Sequence, residues 1–191
     1  MRSTIIKLAF RNLFYQGIIK EEGLHMGTII PFHSREKHHL PDDPAQSVDI
    51  NTLLSHVEKS ATDIATTLQS CVQATACLQH YEVAPVQCAR AAAYLHNLLQ
   101  QVNALSHLIE QQKQTVAKSY PVVIQAHHCA ALLEQTIRAI QDVREQKGKL
   151  CTYLSAWREA HQQTTTYPAQ VTELLANVSE YRKELVKHCL S

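Results

Sequence analysis

His127-His128-Cys129 is the densest run of metal-ligating residues in the body of the chain. Zinc takes Cys and His in a four-ligand tetrahedron. Neighbours on a helix point about 100° apart, so these three converge on one ion only if other elements add ligands. Cys77 and His80 stand three apart and offer two ligands from one turn, which again leaves a second pair to be found. Core Cys beside surface His accounts for both runs. A di-iron bundle needs Glu from two helices and Glu-x-x-His from each of the others. Past Pro44 only His107-x-x-Glu110 comes near, with the order reversed. Glu184 and His188 are four apart near the end of the chain, where a helix dipole favours a cation, so His188 reads as a cap. Neither Leu95-His96-Asn97 nor Ser106-His107-Leu108 has the nearby Lys and Gly of a phosphotransfer histidine. There is no G-x-S-x-G, no Gly-rich phosphate loop and no paired carboxylates in an apolar setting. No catalytic, cofactor-binding or metal-binding residue is assigned, and a non-enzyme is expected.

The six cysteines form no C-x-x-C. Cys71, Cys88, Cys129, Cys151 and Cys189 fall on or beside apolar stripes, where thiols act as small core residues. Cys77 is the exception, because its neighbour Leu78 takes the stripe position. Reduced thiols in a cytoplasmic compartment are expected.

The elements that carry these residues are long helices. Ile50, Val57, Ile64, Cys71 and Leu78 recur every seven residues, beside a second row at Leu54, Ala61, Leu68 and Thr75. The two rows make one helical stripe lasting about eight turns. Asp43, Pro44 and Gln46 resemble a capping box, so a first helix is expected from about 45 to Tyr81. Val83-Ala84-Pro85 is a short connection between antiparallel neighbours. A second helix over 86–118 buries Cys88, Ala91, Leu95, Leu98, Val102, Leu105, Ile109 and Val116. Pro121 pushes Tyr120 out of the helical region and separates a third helix. Its stripe runs Val122, Ala126, Cys129, Leu133, Ile137, Ile140 and Val143, then Leu150, Leu154 and Trp157. Continued to Gln163 it would reach roughly 65 Å. Gly148 could bend it, but the stripe keeps its phase there and favours continuity. Thr164–Tyr167, β-branched and followed by Pro168, reads as a loop. A fourth helix over 169–189 then buries Val171, Leu174, Leu175, Val178, Tyr181 and Leu185. The expected fold is all-α: an up-and-down bundle of about four helices, three of them long, over 44–191. The short fourth helix should leave apolar stripes uncovered, a place for a protein partner or a second copy.

Residues 1–43 read as a tail without fixed structure. Met1–His25 is basic and apolar. It fits a signal peptide poorly, since Lys7 and Arg11 interrupt its apolar run. An amphipathic surface helix is a second reading. A third is that Lys20-Glu21-Glu22-Gly23 translates a purine-rich bacterial ribosome-binding site, making Met26 the true start and the source a bacterium. After Met26, Pro31 stands where myristoylation needs Ser or Thr.

Charged residues make up only 18% of the chain, and from Pro44 onward twelve basic residues balance twelve acidic ones. A neutral body lacks the basic face that phosphates require. Without a run of 18 apolar residues, no membrane span is expected. The stretch from Thr66 to Cys71 (TTLQSC) and that from Leu98 to Leu105 (LLQQVNAL) are similar to helical segments of the primosomal replication protein PriC family. That resemblance implies a DNA-replication accessory role, although the family's helices are rich in Arg and aromatics and these are not. The leading expectation is a non-enzymatic helical interaction module of a bacterium: an adaptor, a chaperone-like partner or a secreted binding effector.

Overall fold

Asp49 starts the first helix. Its carboxylate accepts from the Asn51 backbone N–H at 3.1 Å and the Thr52 hydroxyl at 3.2 Å, satisfying a donor that a helix N-terminus leaves open. The computed structural model describes residues 49–190 except 81, 113–115 and 147. The expected tail, the start at Met26 and the cap at Asp43–Gln46 lie outside the described residues. Four helices are described: α1 (Ile50–Ala76), α2 (Pro85–Gln111), α3 (Ser119–Glu145) and α4 (Leu150–Leu190). α1 ends in one 3-10 turn, Cys77–Gln79. Each helix packs on its two neighbours in a ring, and the diagonal pairs do not meet. Cross-links between Glu58 and Arg182 and between Thr75 and Tyr167 run in opposite chain directions, so α1 and α4 are antiparallel. The chain is the expected four-helix bundle.

Pro85 acts as expected and opens α2, with the Gln87 Oε1 accepting from the Ala84 N–H at 3.2 Å. Pro121 separates a third helix as expected, but α3 starts at Ser119, so Tyr120 is helical in the first turn, where a proline is tolerated, and is not pushed out of the helical region. The other two breakpoints differ from the expectation. The third helix stops at Glu145 and the chain turns through Gln146–Lys149, where the Lys149 N–H reaches the Gln146 carbonyl at 2.9 Å. A Cβ at Gly148 would meet nothing within 4 Å, so no close approach demands the glycine. The expected loop at Thr164–Tyr167 is helical, and Pro168 lies inside α4. α4 is thus the longest helix, 41 residues and about 61 Å. Among the described residues, the long α4 packs against both α1 and α3 and covers stripe positions that a short fourth helix would leave open.

The reason is a seam. Tyr153, Trp157, Ala160, Thr164, Tyr167, Val171, Leu174, Val178, Tyr181 and Leu185 alternate by three and four without a slip, and all but the half-buried Trp157 are buried. A proline inside a helix costs about 3 kcal/mol. Breaking α4 at Pro168 would take one half of the seam out of phase with α1 and α3. Each large apolar side chain on it contributes roughly 1.5–3 kcal/mol by burial, so the seam prevails. Upstream, Leu150 is 65% exposed because the turn at Gly148 resets the phase.

The α1 rows are borne out at Val57, Ile64, Cys71, Thr75 and Leu78, with Leu53 buried in place of Leu54. Every residue of the α2 stripe is buried, as is Val116 beyond it. Ile64 is fully buried, whereas Lys59 is exposed. Urea unfolding should show Ile64→Ala losing about 2–5 kcal/mol and Lys59→Ala under about 0.5 kcal/mol. Equal losses would put the wrong face of α1 inward.

Candidate functional site

Tyr167 is fully buried on the α4 seam, and its hydroxyl lies 3.0 Å from the Thr75 Oγ1 of α1. Thr75 uses its one proton on the Cys71 carbonyl at 2.9 Å. Tyr167 is therefore the donor to Thr75. Burial pushes the Tyr167 phenol up to about 12.

The next residue, Pro168, has no N–H, so the Thr164 carbonyl one turn back loses its helical donor. Thr164 and Thr165 turn their hydroxyl protons back to the carbonyls of His161 and Gln162, at 2.9 and 2.8 Å. A cleft of about 230 Å³ opens at this point. α1 lines it with Val72, Thr75, Ala76 and Gln79, and α4 with Thr164, Thr165 and Pro168. Its walls mix apolar and polar side chains. The hydroxyls of Thr75, Thr164 and Thr165 each donate to a carbonyl of their own helix, and the buried Thr75 oxygen also accepts from Tyr167. No charged side chain lines it.

Beside the cleft, α4 holds the α1–α2 connection. The Trp157 Nε1 donates to the His80 carbonyl at 3.3 Å, and the Val83 N–H donates to the Tyr153 hydroxyl at 3.4 Å. His161 stacks on Trp157 with ring centres 5.4 Å apart. A second groove of about 210 Å³ runs between α2 and α3 over Ala89, Ala92 and Ala93, with His96 on one wall and Arg144 on the other.

The sequence's metal candidates diverge. His127 and His128 are exposed, and the His127 Nε2 lies 3.4 Å from the Ser106 Oγ. Cys129 is buried, with its thiol donating to the Gln170 carbonyl at 3.3 Å. Cys77 and His80 are exposed on and after the 3-10 turn. Glu184 pairs with Lys187 at 3.3 Å and Lys118 at 3.5 Å. Among the described residues, no group of three or more His, Cys, Asp or Glu is placed to hold a metal. No described helix is long and apolar enough to cross a membrane. No protein-family model matches the chain, and no curated protein matches it significantly. The cleft was missed because Pro168 was read as a loop. The signal for it was the in-phase seam through Thr164 and Tyr167.

All six cysteines are free. Cys71, Cys88 and Cys129 are buried, but Cys151 and Cys189 are exposed, against the expectation for those two. Cys151 follows the turn at Gly148 and precedes the first seam residue, Tyr153, while Cys189 lies beyond the last, Leu185. Burial pushes the thiols of Cys71 and Cys129 up to about 12 and about 11, with the Glu173 charge adding to the latter.

Thiol labelling of the folded protein, read by peptide mass spectrometry, should mark Cys77, Cys151 and Cys189 and spare the other three until denaturation. Cys71 labelling as fast as Cys77 would overturn the assignment. Because Cys71 and Tyr167 are held neutral in the fold above their ordinary values of 9.0 and 10.0, the unfolded chain loses these protons first. Their contribution is complete below about pH 9 and should fall as pH rises toward 12.

The Tyr181 hydroxyl is buried without a partner. Tyr181→Phe should therefore raise stability by about 1 kcal/mol, while Tyr167→Phe should lower it by about as much. Thermal unfolding checks both, and matching shifts would mean that the Thr75 bond contributes nothing.

Proposed function

We propose that this bundle is a non-enzymatic interaction module that engages a protein partner at the cleft between α1 and α4. The observation that carries the reading is the cleft between α1 and α4 at the helix-interior Pro168, lined by Val72, Ala76, Gln79 and Thr165. Exposed apolar surface edged by polar side chains is what a binding face offers. Val72, 42% exposed on the α1 wall, supplies that surface. The bundle's other polar elements serve packing. The ion pairs linking Arg182 to Glu58 and Lys118 to Glu184 lie at the surface, where such pairs add little stability. The neutral charge balance past Pro44 also suits a protein partner better than a phosphate backbone.

Ala76→Trp tests the reading, because Ala76 is exposed and lines the cleft. The variant should melt like the wild type and lose a protein that co-purifies with the wild type from native cells. An unchanged set of co-purifying proteins would overturn the reading. Salt-dependent retention of DNA on a native gel would instead favour the PriC-like role.

A further inference from the structure

The groove between α2 and α3 is one-sided in charge. Arg144 and His96 line it, and no Asp or Glu does. Asp142 and Glu145, close to Arg144 in the chain, are not among its walls. α2 carries no acid before Glu110. Among the described residues, Arg138 pairs with Glu134 and Arg182 with Glu58, whereas Arg144 joins no ion pair. A guanidinium offers a planar fork of donors that matches a carboxylate, and an imidazole N–H adds a donor from the facing wall. The rest of the α2 wall is apolar and low. Ala89, Ala92 and Ala93 supply it, and such short side chains let another backbone come close. Val86, 77% exposed, belongs to the same face, because Val86, Ala89, Ala93 and His96 are spaced by three, four and three. They span about 15 Å along α2, close to three turns of a helix laid beside it. An amphipathic helix sets its apolar anchors into a groove at such spacings. A nucleic-acid strand calls instead for a run of cations, and the groove has one Arg and one His.

Independently of the cleft between α1 and α4, we propose that this groove takes an acidic amphipathic helix of a protein partner. The helix lays its apolar face along Val86, Ala89 and Ala93 and places an Asp or Glu carboxylate between Arg144 and His96. Arg144 and His96 are exposed, so replacing either should leave the fold intact.

Two probes test this in NMR titrations of isotope-labelled protein: sodium butanoate, and a capped helical peptide of Ala and Leu with Glu along one edge. Amide signals of Ala89, Ala93, His96 and Arg144 should move and saturate with both, the peptide acting at the lower concentration. Butanamide, and the same peptide with Gln for Glu, should leave them in place at equal ionic strength. Arg144→Gln should weaken both probes about fivefold or more, and His96→Gln about twofold. Two variants should bind like the wild type: Arg138→Gln, which removes a cation already paired with Glu134, and Ala76→Trp, which fills the other cleft. Equal shifts with butanamide, wild-type binding by Arg144→Gln, or no shift at those amides would each overturn the proposal. Weakening by Arg138→Gln as large as by Arg144→Gln would mean attraction to surface charge in general, and loss of binding by Ala76→Trp would move the site to the other cleft. Either result overturns the assignment. Saturation by butanoate with none by the peptide would leave a site for small acids and overturn the helix.

Discussion

The register of α4 is the constraint on which the rest of the bundle depends. One helix of 41 residues must present a single buried face to two partners along its length. The seam from Tyr153 to Leu185 does so only if the helix runs unbroken through Pro168. Local preference points the other way, since three successive threonines and a proline disfavour helix. A tertiary interface outweighs that preference because its burial terms add over the seam, while the proline acts once. The threonines ease the conflict. Thr164, Thr165, Thr166 and Thr172 turn their hydroxyls onto carbonyls three or four residues back, so their polar groups are satisfied within the helix.

That compromise makes the cleft. A proline tolerated inside a helix leaves a carbonyl that nothing in its own ladder can satisfy. The cleft between α1 and α4 opens at this proline. The sequence feature least favourable to the helix thus coincides with a gap in the bundle's surface.

How far the sequence could be read follows from the same conflict. α2 contains no proline past its first residue and no competing turn signal, and each of its expected stripe residues is buried. α1 was legible through its seven-residue rows, although Leu53 is buried and Ile50, Leu54, Ala61 and Leu68 pack against the core only partly buried. The division between α3 and α4 was not legible, because two local rules misled in opposite directions. Phase continuity across Gly148 argued for one helix where the chain turns. Proline and β-branched residues argued for a loop where the helix runs on. The misplacement of Cys151 follows directly from the first error. The cleft followed from the second: it needs both the helical Pro168 and the α1 residues that pack opposite it, and a spacing argument along one segment cannot join two segments.

The tyrosines of α4 show how the register is made specific. All three phenylalanines of the chain precede residue 33, so Tyr153, Tyr167 and Tyr181 supply the fully buried large rings of the α4 seam, beside the half-buried Trp157. A ring alone tolerates sliding, since apolar contact is non-directional. A hydroxyl that must find one partner does not, because a slip of one turn would leave it buried and unpaired at a cost of about 1–3 kcal/mol. Tyr153 meets this demand at the Val83 N–H, and Tyr167 meets it at Thr75. These two bonds lie on the half of α4 that packs near the end of α1 and its connection to α2. Tyr181, near the far end of α4, has no such partner. Buried tyrosine hydrogen bonds therefore pin the half of α4 that borders the cleft, and the other half is held by packing with the surface pairs of Arg182 with Glu58 and Glu184 with Lys118. A cleft whose two walls come from different helices keeps its shape only if those helices cannot slide, and the Thr75–Tyr167 bond fixes them at the cleft itself.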